Sequence, residues 1–191
     1  MRKFYQWIVL SVVLLTAATI CFLILNSIRA NEIQKEVHSW VGYRFHFPAE
    51  VQLISGDGSS LLKPYKILIY TDNMGCTSCS LKLQEWSHIH ETVYNKIVPD
   101  ELTIIILFDG SDKEHIQMLT RNARWEMPVL WDSNGVMNRH RKFPKKDGMR
   151  CMLLDKENKV MAVGNPVYSK AVHDLYLKLL INKIEAIKTI Y

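Results

Sequence analysis

The chain has 191 residues, 48% of them hydrophobic and 23% charged, with a formal net charge of +5. These totals suit one domain with an appendage, supply enough apolar side chains for a packed core, and exclude wholesale disorder. Three basic residues, Arg2, Lys3 and Arg29, flank an N-terminal apolar run, and the rest of the chain is nearly balanced. That excludes a polyanion-binding surface and, with it, a nucleic-acid partner.

From Trp7 to Ile28 no residue is charged, and the run WIVLSVVLLTAATICFLILNSI is long enough to cross a hydrocarbon core as a helix. Arg2 and Lys3 ahead of it favour a cytoplasmic N-terminus, so everything beyond about Ala30 is exported. A cleaved signal peptide would have a shorter apolar region and a small-x-small site, which Ile28-Arg29-Ala30 fits poorly, so an uncleaved anchor is the preferred reading and cleavage the alternative. Cys21 lies inside the run with no small residue before it, as a membrane-embedded small side chain. Thr16 and Thr19 can bond back to their own helix. The expected organisation is a membrane anchor over 1–30, a helical stalk over 31–41 and a folded domain over 42–191. The expected location is the inner (cytoplasmic) membrane, single-pass, with the domain on the periplasmic side.

In the exported part, Tyr43, Phe45 and Phe47 alternate with Arg44 and His46, the pattern of a strand with one buried face, stopped by Pro48. Residues 55–60 (SGDGSS) read as a loop. KILIY (66–70) reads as a buried strand, and 77–97 as a helix with Leu83, Trp86, Val93 and Ile97 inward. LTIIILF (102–108) is a continuous β-branched run, as expected of a strand covered on both faces. Ser111 or Asp112 caps a helix to Asn122 with Ile116 and Leu119 inward. PVLW (128–131) is a short strand, and Arg139-His140-Arg141-Lys142 a solvated basic loop. Residues 150–154 and 159–163 form a hairpin around Asp155-Lys156-Glu157-Asn158. A last helix over 169–189 carries Val172, Leu175, Tyr176 and Leu179 on its buried side. Parallel strands followed by an antiparallel pair, with helices between, make an α/β sandwich.

Two of the four cysteines, Cys76 and Cys79, stand in NMGCTSCSL just after the KILIY run. A C-x-x-C at a strand-to-helix junction points to a redox dithiol. At a helix start, Cys76 would meet free backbone N–H groups and the positive end of the helix dipole, both of which favour the thiolate. Cys79, one turn on, could then attack a mixed disulfide at Cys76, making Cys76 the nucleophile and Cys79 the resolving thiol. Thr77 and Ser78 would tune the thiolate. Asp72 is a candidate proton acceptor for Cys79, or a loop-capping carboxylate. Cys151 reads as a buried hydrophobe, or a third thiol near the pair. The redox reading needs no cofactor beyond the Cys76–Cys79 disulfide. The competing reading is a binding module: Met74-Gly75-Cys76-Thr77-Ser78-Cys79 has the form of an M-x-C-x-x-C copper loop, in which Cys76 and Cys79 would hold Cu(I).

KILIYTDNMGCTSC, MPVLWDSNG and MRCMLLDKENKVMAVGNP together resemble the thioredoxin-like superfamily, in particular the membrane-anchored, exported thiol–disulfide proteins of the TlpA/ResA type. The similarity runs from about Gly42 to Ile187. It implies a thioredoxin-like sandwich, a central mixed sheet with flanking helices, carrying an extra N-terminal hairpin and an inserted αβ unit behind a transmembrane helix. It also implies exported protein thiols or disulfides as partners, and a separate electron donor. Three features depart from the pattern, the first being that Thr77-Ser78 places no proline between the cysteines. Gly75 stands where an aromatic residue usually precedes the first cysteine. The place of the cis-proline loop falls at Met149, where a cis bond would cost about 2.5–4 kcal/mol.

Overall fold

The computed structural model describes residues 2–72, 81–110 and 112–188; residues 73–80, with both cysteines of the C-x-x-C, and the expected cap Ser111 lie outside the described residues. The chain divides into two units, Met1–Ser39 and Trp40–Tyr191.

The first unit consists of helix α1 (Arg2–Trp40) up to Ser39. Residues 13–40 contain an 18-residue window of mean hydropathy 1.9 with none of its side chains buried, long and apolar enough to cross a membrane. Thr16 and Thr19 donate their hydroxyls to the carbonyls of Val13 and Thr16, so neither polar group is left bare along the apolar stretch. The stalk is a continuation of the same helix.

The second unit is built on a six-stranded sheet in the order β1-β4-β3-β2-β5-β6. The strands are β1 (Gln52–Ser55), β2 (Tyr65–Asp72), β3 (Leu102–Asp109), β4 (Val129–Asp132), β5 (Cys151–Leu154) and β6 (Val160–Val163). β2 pairs parallel with β3 over its whole length, and β3 with β4; β5, β6 and β1 are antiparallel to their neighbours. The β-branched runs at 66–70 and 102–108 occupy the centre because both of their faces are covered: Ile67, Leu68, Ile104, Ile105, Ile106 and Leu107 are all fully buried.

Alternate residues divide the core in two. One face carries Ile67, Ile69, Ile104, Ile106, Phe108, Val129 and Leu153, packed with Trp86, Tyr94, Ile116, Tyr176 and Leu180 from the helices. Those side chains belong to α2 (Leu83–Ile89) with its π-helical continuation His90–Tyr94, α4 (Lys113–Asn122) and α6 (Lys170–Lys188); a single turn, α3 (Asn95–Ile97), lies between. On the other face Tyr70 stacks on Phe143 at 3.8 Å, and Phe143 on Trp40 and Phe45.

Several expectations are corrected. The strand expected at 43–47 is a single bridge, Arg44 to Lys159. The amide of Phe45 reaches Asn158, the turn of the β5–β6 hairpin, and the ladder runs out of partner there. The alternation itself holds, with Phe45 buried and Arg44 and His46 exposed. The helix expected over 77–97 is interrupted at Lys82, whose φ of 49° and ψ of 46° are left-handed. The π turn then shifts the inward stripe by one residue, so that Tyr94 is fully buried and Val93 only partly. In α6 the buried stripe runs through Val172, Tyr176 and Leu180, leaving Leu175 exposed; the Tyr176 hydroxyl donates to the Gly164 carbonyl at 2.8 Å and sets that rotation. The basic loop is partly a short helix, α5 (Val136–His140), and Arg141 lies over the rings of Trp40 and Tyr43 at 4.2 and 4.5 Å. β1 was not expected, because its half-exposed residues carry no alternation and only the free edge of β4 defines it. Asp112 caps α4 as expected, accepting from the amides of Glu114 and His115.

After β1 the chain turns at Gly56, with φ +82°, where an added Cβ would lie 2.4 Å from the Met127 carbonyl oxygen. Gly110 has φ +70° and open space around it. Gly110→Ala is therefore expected to cost only the left-handed penalty, about 1–2 kcal/mol. Gly56→Ala must cost clearly more, because backbone has to move away from β4; urea unfolding of the two variants side by side measures the difference.

Candidate functional site

The three parallel strands end in register on aspartates: Asp72 on β2 faces Asp109 on β3, and Asp109 faces Asp132 on β4. Parallel register puts their side chains on one face at one edge of the sheet, and such a row of carboxylates is stable only if each is separately compensated.

Each has its own partner. Asp132, almost fully buried, accepts from the amides of Val136 and Met137 at 2.8 and 2.7 Å, at the first turn of α5. Asp109 accepts from the Tyr70 hydroxyl at 2.6 Å. Burial and this hydrogen bond push the Tyr70 phenol far above its ordinary pKa, so it remains a donor. Asp72 accepts two parallel hydrogen bonds from Arg150, at 2.8 and 3.0 Å. The same guanidinium donates from Nε to the Pro144 carbonyl at 2.9 Å, lies 3.3 Å from the exposed Asp147 carboxylate, and stands 5.7 Å from the Tyr70 ring centroid. Arg150 thus fastens the 144–150 loop to the end of β2, in the planar two-point geometry that a lysine cannot reproduce.

Asp72 is the last described residue before the segment holding Cys76 and Cys79. Arg150 holds the 144–150 loop against Asp72. Sequence reasoning named Asp72 and Met149 but missed Arg150, Tyr70 and Asp109. A signal was present: KILIYTD, LTIIILFD and VLWD are three apolar strands that each end on Asp.

No family model matches the chain, and no curated protein matches it significantly. Solved structures do. A secreted thiol-disulfide isomerase from Corynebacterium glutamicum superposes with a TM-score of 0.50 at 18% identity, covering 72% of this chain and 97% of that one. A candidate protein disulfide isomerase from Bacteroides thetaiotaomicron gives 0.51 at 16% identity, covering 73% and 87%. A candidate thiol:disulfide interchange protein, DsbE, from Chlorobium tepidum gives 0.50 at 15% identity, covering 68% and 93%. The fold is thioredoxin-like.

Met149, the expected place of the cis-proline loop, lies in the loop before the β5–β6 hairpin. Here that loop is a 3₁₀ turn, Asp147–Met149, in which the Met149 amide donates to the Lys146 carbonyl at 2.9 Å and the Met149 side chain is buried. All described peptide bonds are trans. The Met149 amide is therefore engaged inside its own turn, and Arg150 supplies the anchorage of the loop. Cys151 pairs with Ile69 on β2, is fully enclosed in the core, and has its thiol pushed well above the ordinary range by burial. It is the buried hydrophobe expected from the sequence. Cys21 is a free, exposed cysteine of α1. Among the described residues no cluster of three or more His, Cys, Asp or Glu side chains is arranged to hold a metal.

The Asp72 and Arg150 side chains are 25% and 16% exposed, so removing one partner strands a largely desolvated charge. Arg150→Met is expected to cost about 1.5–3 kcal/mol in urea unfolding. Adding Asp72→Asn should return part of that loss, giving a coupling of roughly 0.5–3 kcal/mol. Strictly additive losses would show that the bridge does not hold the loop.

Proposed function

We propose that the protein is a membrane-tethered, exported thiol–disulfide exchange protein, with Cys76 as the nucleophile and Cys79 as the resolving thiol. The observation that carries this reading is that the thioredoxin-like central strand ends at Asp72, four positions before the first cysteine of the C-x-x-C. The thiol–disulfide isomerase and interchange activities for which the Corynebacterium and Chlorobium proteins are named point the same way.

The exchange balances in two steps. The Cys76 thiolate attacks one sulfur of a partner's disulfide, that S–S bond breaks, and the other partner sulfur leaves as a thiolate. Cys79, losing its proton, attacks the Cys76 sulfur of the mixed disulfide and expels the second partner thiolate. The Cys76–Cys79 disulfide holds the oxidised state, and two electrons have passed to the partner. Run in reverse, the same steps oxidise a partner dithiol. Asp72 is the candidate acceptor of the Cys79 proton: its oxygens accept from Arg150 but retain further lone pairs. The apolar stretch of α1, with Arg2 and Lys3 before it, would tether the domain on the periplasmic side of the inner membrane. Regeneration in the reducing direction requires a separate electron donor, and the partners are exported protein thiols or disulfides.

Two measurements on the full-length chain test this. Cys79→Ser expressed in cells should accumulate mixed disulfides with exported proteins, and the added Cys76→Ser change should abolish them. Purified protein in glutathione buffers should show one reversible two-electron transition. Thiols that remain unreactive, or a tight stoichiometric Cu(I) site on Cys76 and Cys79 without exchange, would overturn the proposal in favour of a binding module.

A further inference from the structure

At the opposite end of β2 from Asp72, Lys66 sits on a sheet face with only 5% of its surface exposed. It forms part of the wall of a cavity of about 240 Å³, lined otherwise by apolar side chains that include Phe47, Leu53, Ile105 and Leu130, and by Asn158. Among the described residues the Lys66 side chain makes no hydrogen bond and no ion pair. The Asn158 side-chain oxygen is buried and also has no partner.

Both groups are held there by the fold. Lys66 is locked in the ladder between Thr103 on β3 and Leu154 on β5. Asn158 occupies the left-handed position of the β5–β6 turn, with φ 59°; its amide donates to Asp155 and its carbonyl accepts from Phe45. Asp155 acts on Lys66 by charge attraction, and one of that residue's oxygens accepts from the amides of Glu157 and Lys159. Burial pulls the Lys66 pKa below its ordinary value and Asp155 opposes the pull. The Asn158 oxygen is an unsatisfied acceptor of the kind a folded protein rarely leaves bare, and it shares the wall of one mostly apolar cavity with Lys66, whose ammonium has no protein partner.

The two polar groups define what would suit the site. Lys66 calls for an anionic acceptor, the Asn158 oxygen for an O–H or N–H donor, and the remaining wall for a short apolar body. At about 30 Å³ per water-sized unit, the space corresponds to roughly eight heavy atoms. We infer that this cavity is a binding site for a small carboxylate with a hydroxyl or N–H donor next to the carboxyl group and a short apolar tail. The carboxylate pairs with Lys66, and the neighbouring donor reaches Asn158. The site lies at the other end of the central strand from the C-x-x-C, so it is separate from thiol chemistry and independent of that proposal.

The test is calorimetric titration of the full-length protein, in nanodiscs, with 2-hydroxyhexanoate. Saturable binding of one molecule per chain is expected. Lys66→Met, which removes the charge but keeps most of the apolar stem, should weaken it at least about tenfold, as should Ile105→Phe, which fills the cavity. Hexanoate should bind more weakly than the hydroxy acid, and dodecanoate no more tightly than hexanoate. If either variant fails to fold, the wild-type protein still decides the matter, because hexane-1,2-diol keeps the donor and the tail without the charge. The diol should bind at least about tenfold more weakly. Absence of saturable binding would show that the cavity holds only water and would overturn the inference. So would equal affinity for diol and hydroxy acid, undiminished binding to folded Lys66→Met, or affinity that climbs steadily through dodecanoate, which would indicate a lipid tail extending out of the site.

Discussion

The parallel pairing of β2 with β3 is the constraint on which the rest of the globular unit depends. Eight residues of each strand are in register, from Tyr65 opposite Leu102 to Asp72 opposite Asp109. β5 closes the other side of β2, so the strand has no free edge and no exposed face along its middle. Each fully buried Ile or Leu of this pair contributes about 1.5–3 kcal/mol of transfer free energy, and a one-residue slip would exchange every side chain between two differently packed core faces. The register is therefore fixed, and with it the position at which β2 ends. A segment leaving Asp72 starts from a rigid point.

The two ends of β2 differ in chemistry because different elements cover them. At the Asp72 end, carboxylates from three strands are compensated separately by Arg150, by the Tyr70 hydroxyl and by the α5 amides. Those contacts join the 144–150 loop, α5 and the sheet into one edge. At the Lys66 end residues 47–53 and β1 cover the sheet loosely, leaving a cavity with Lys66 and the unpartnered Asn158 oxygen on its wall. One strand thus carries a satisfied polar edge next to the C-x-x-C in sequence, and at its other end a buried lysine beside an unpartnered amide oxygen.

Much of this was legible in the sequence. The runs at 66–70 and 102–108 announced central strands because uninterrupted β-branched residues suit a strand buried on both faces. The turn DKEN announced the terminal hairpin, and the three stretches around the C-x-x-C, PVLW and that hairpin carried the resemblance to thioredoxin-like proteins. What escaped depends on contacts between distant residues. The left-handed Lys82 and the π turn at His90–Tyr94 rotate a helix whose apolar positions fit two registers. β1 exists because β4 offers an edge. Arg150 reads as an ordinary strand-flanking base until its guanidinium is seen on Asp72, seventy-eight positions away. Of the candidate site, Asp72 and Met149 were visible in the sequence, whereas the partners that fix them were not. Cys76 and Cys79 rest on sequence alone.

The central claim, that the end of β2 presents Cys76 as an activated thiolate while Cys151 is sealed in the core, is tested most directly by alkylation of the native protein across pH. Iodoacetamide modification followed by mass spectrometry gives a rate for each cysteine. The account predicts that Cys76 reacts with a midpoint well below the value of about 8.5 for a free thiol. It also predicts that Cys151 stays unmodified until the protein is denatured. A Cys76 midpoint at or above that of a free thiol, or alkylation of Cys151 in the folded protein, would contradict it.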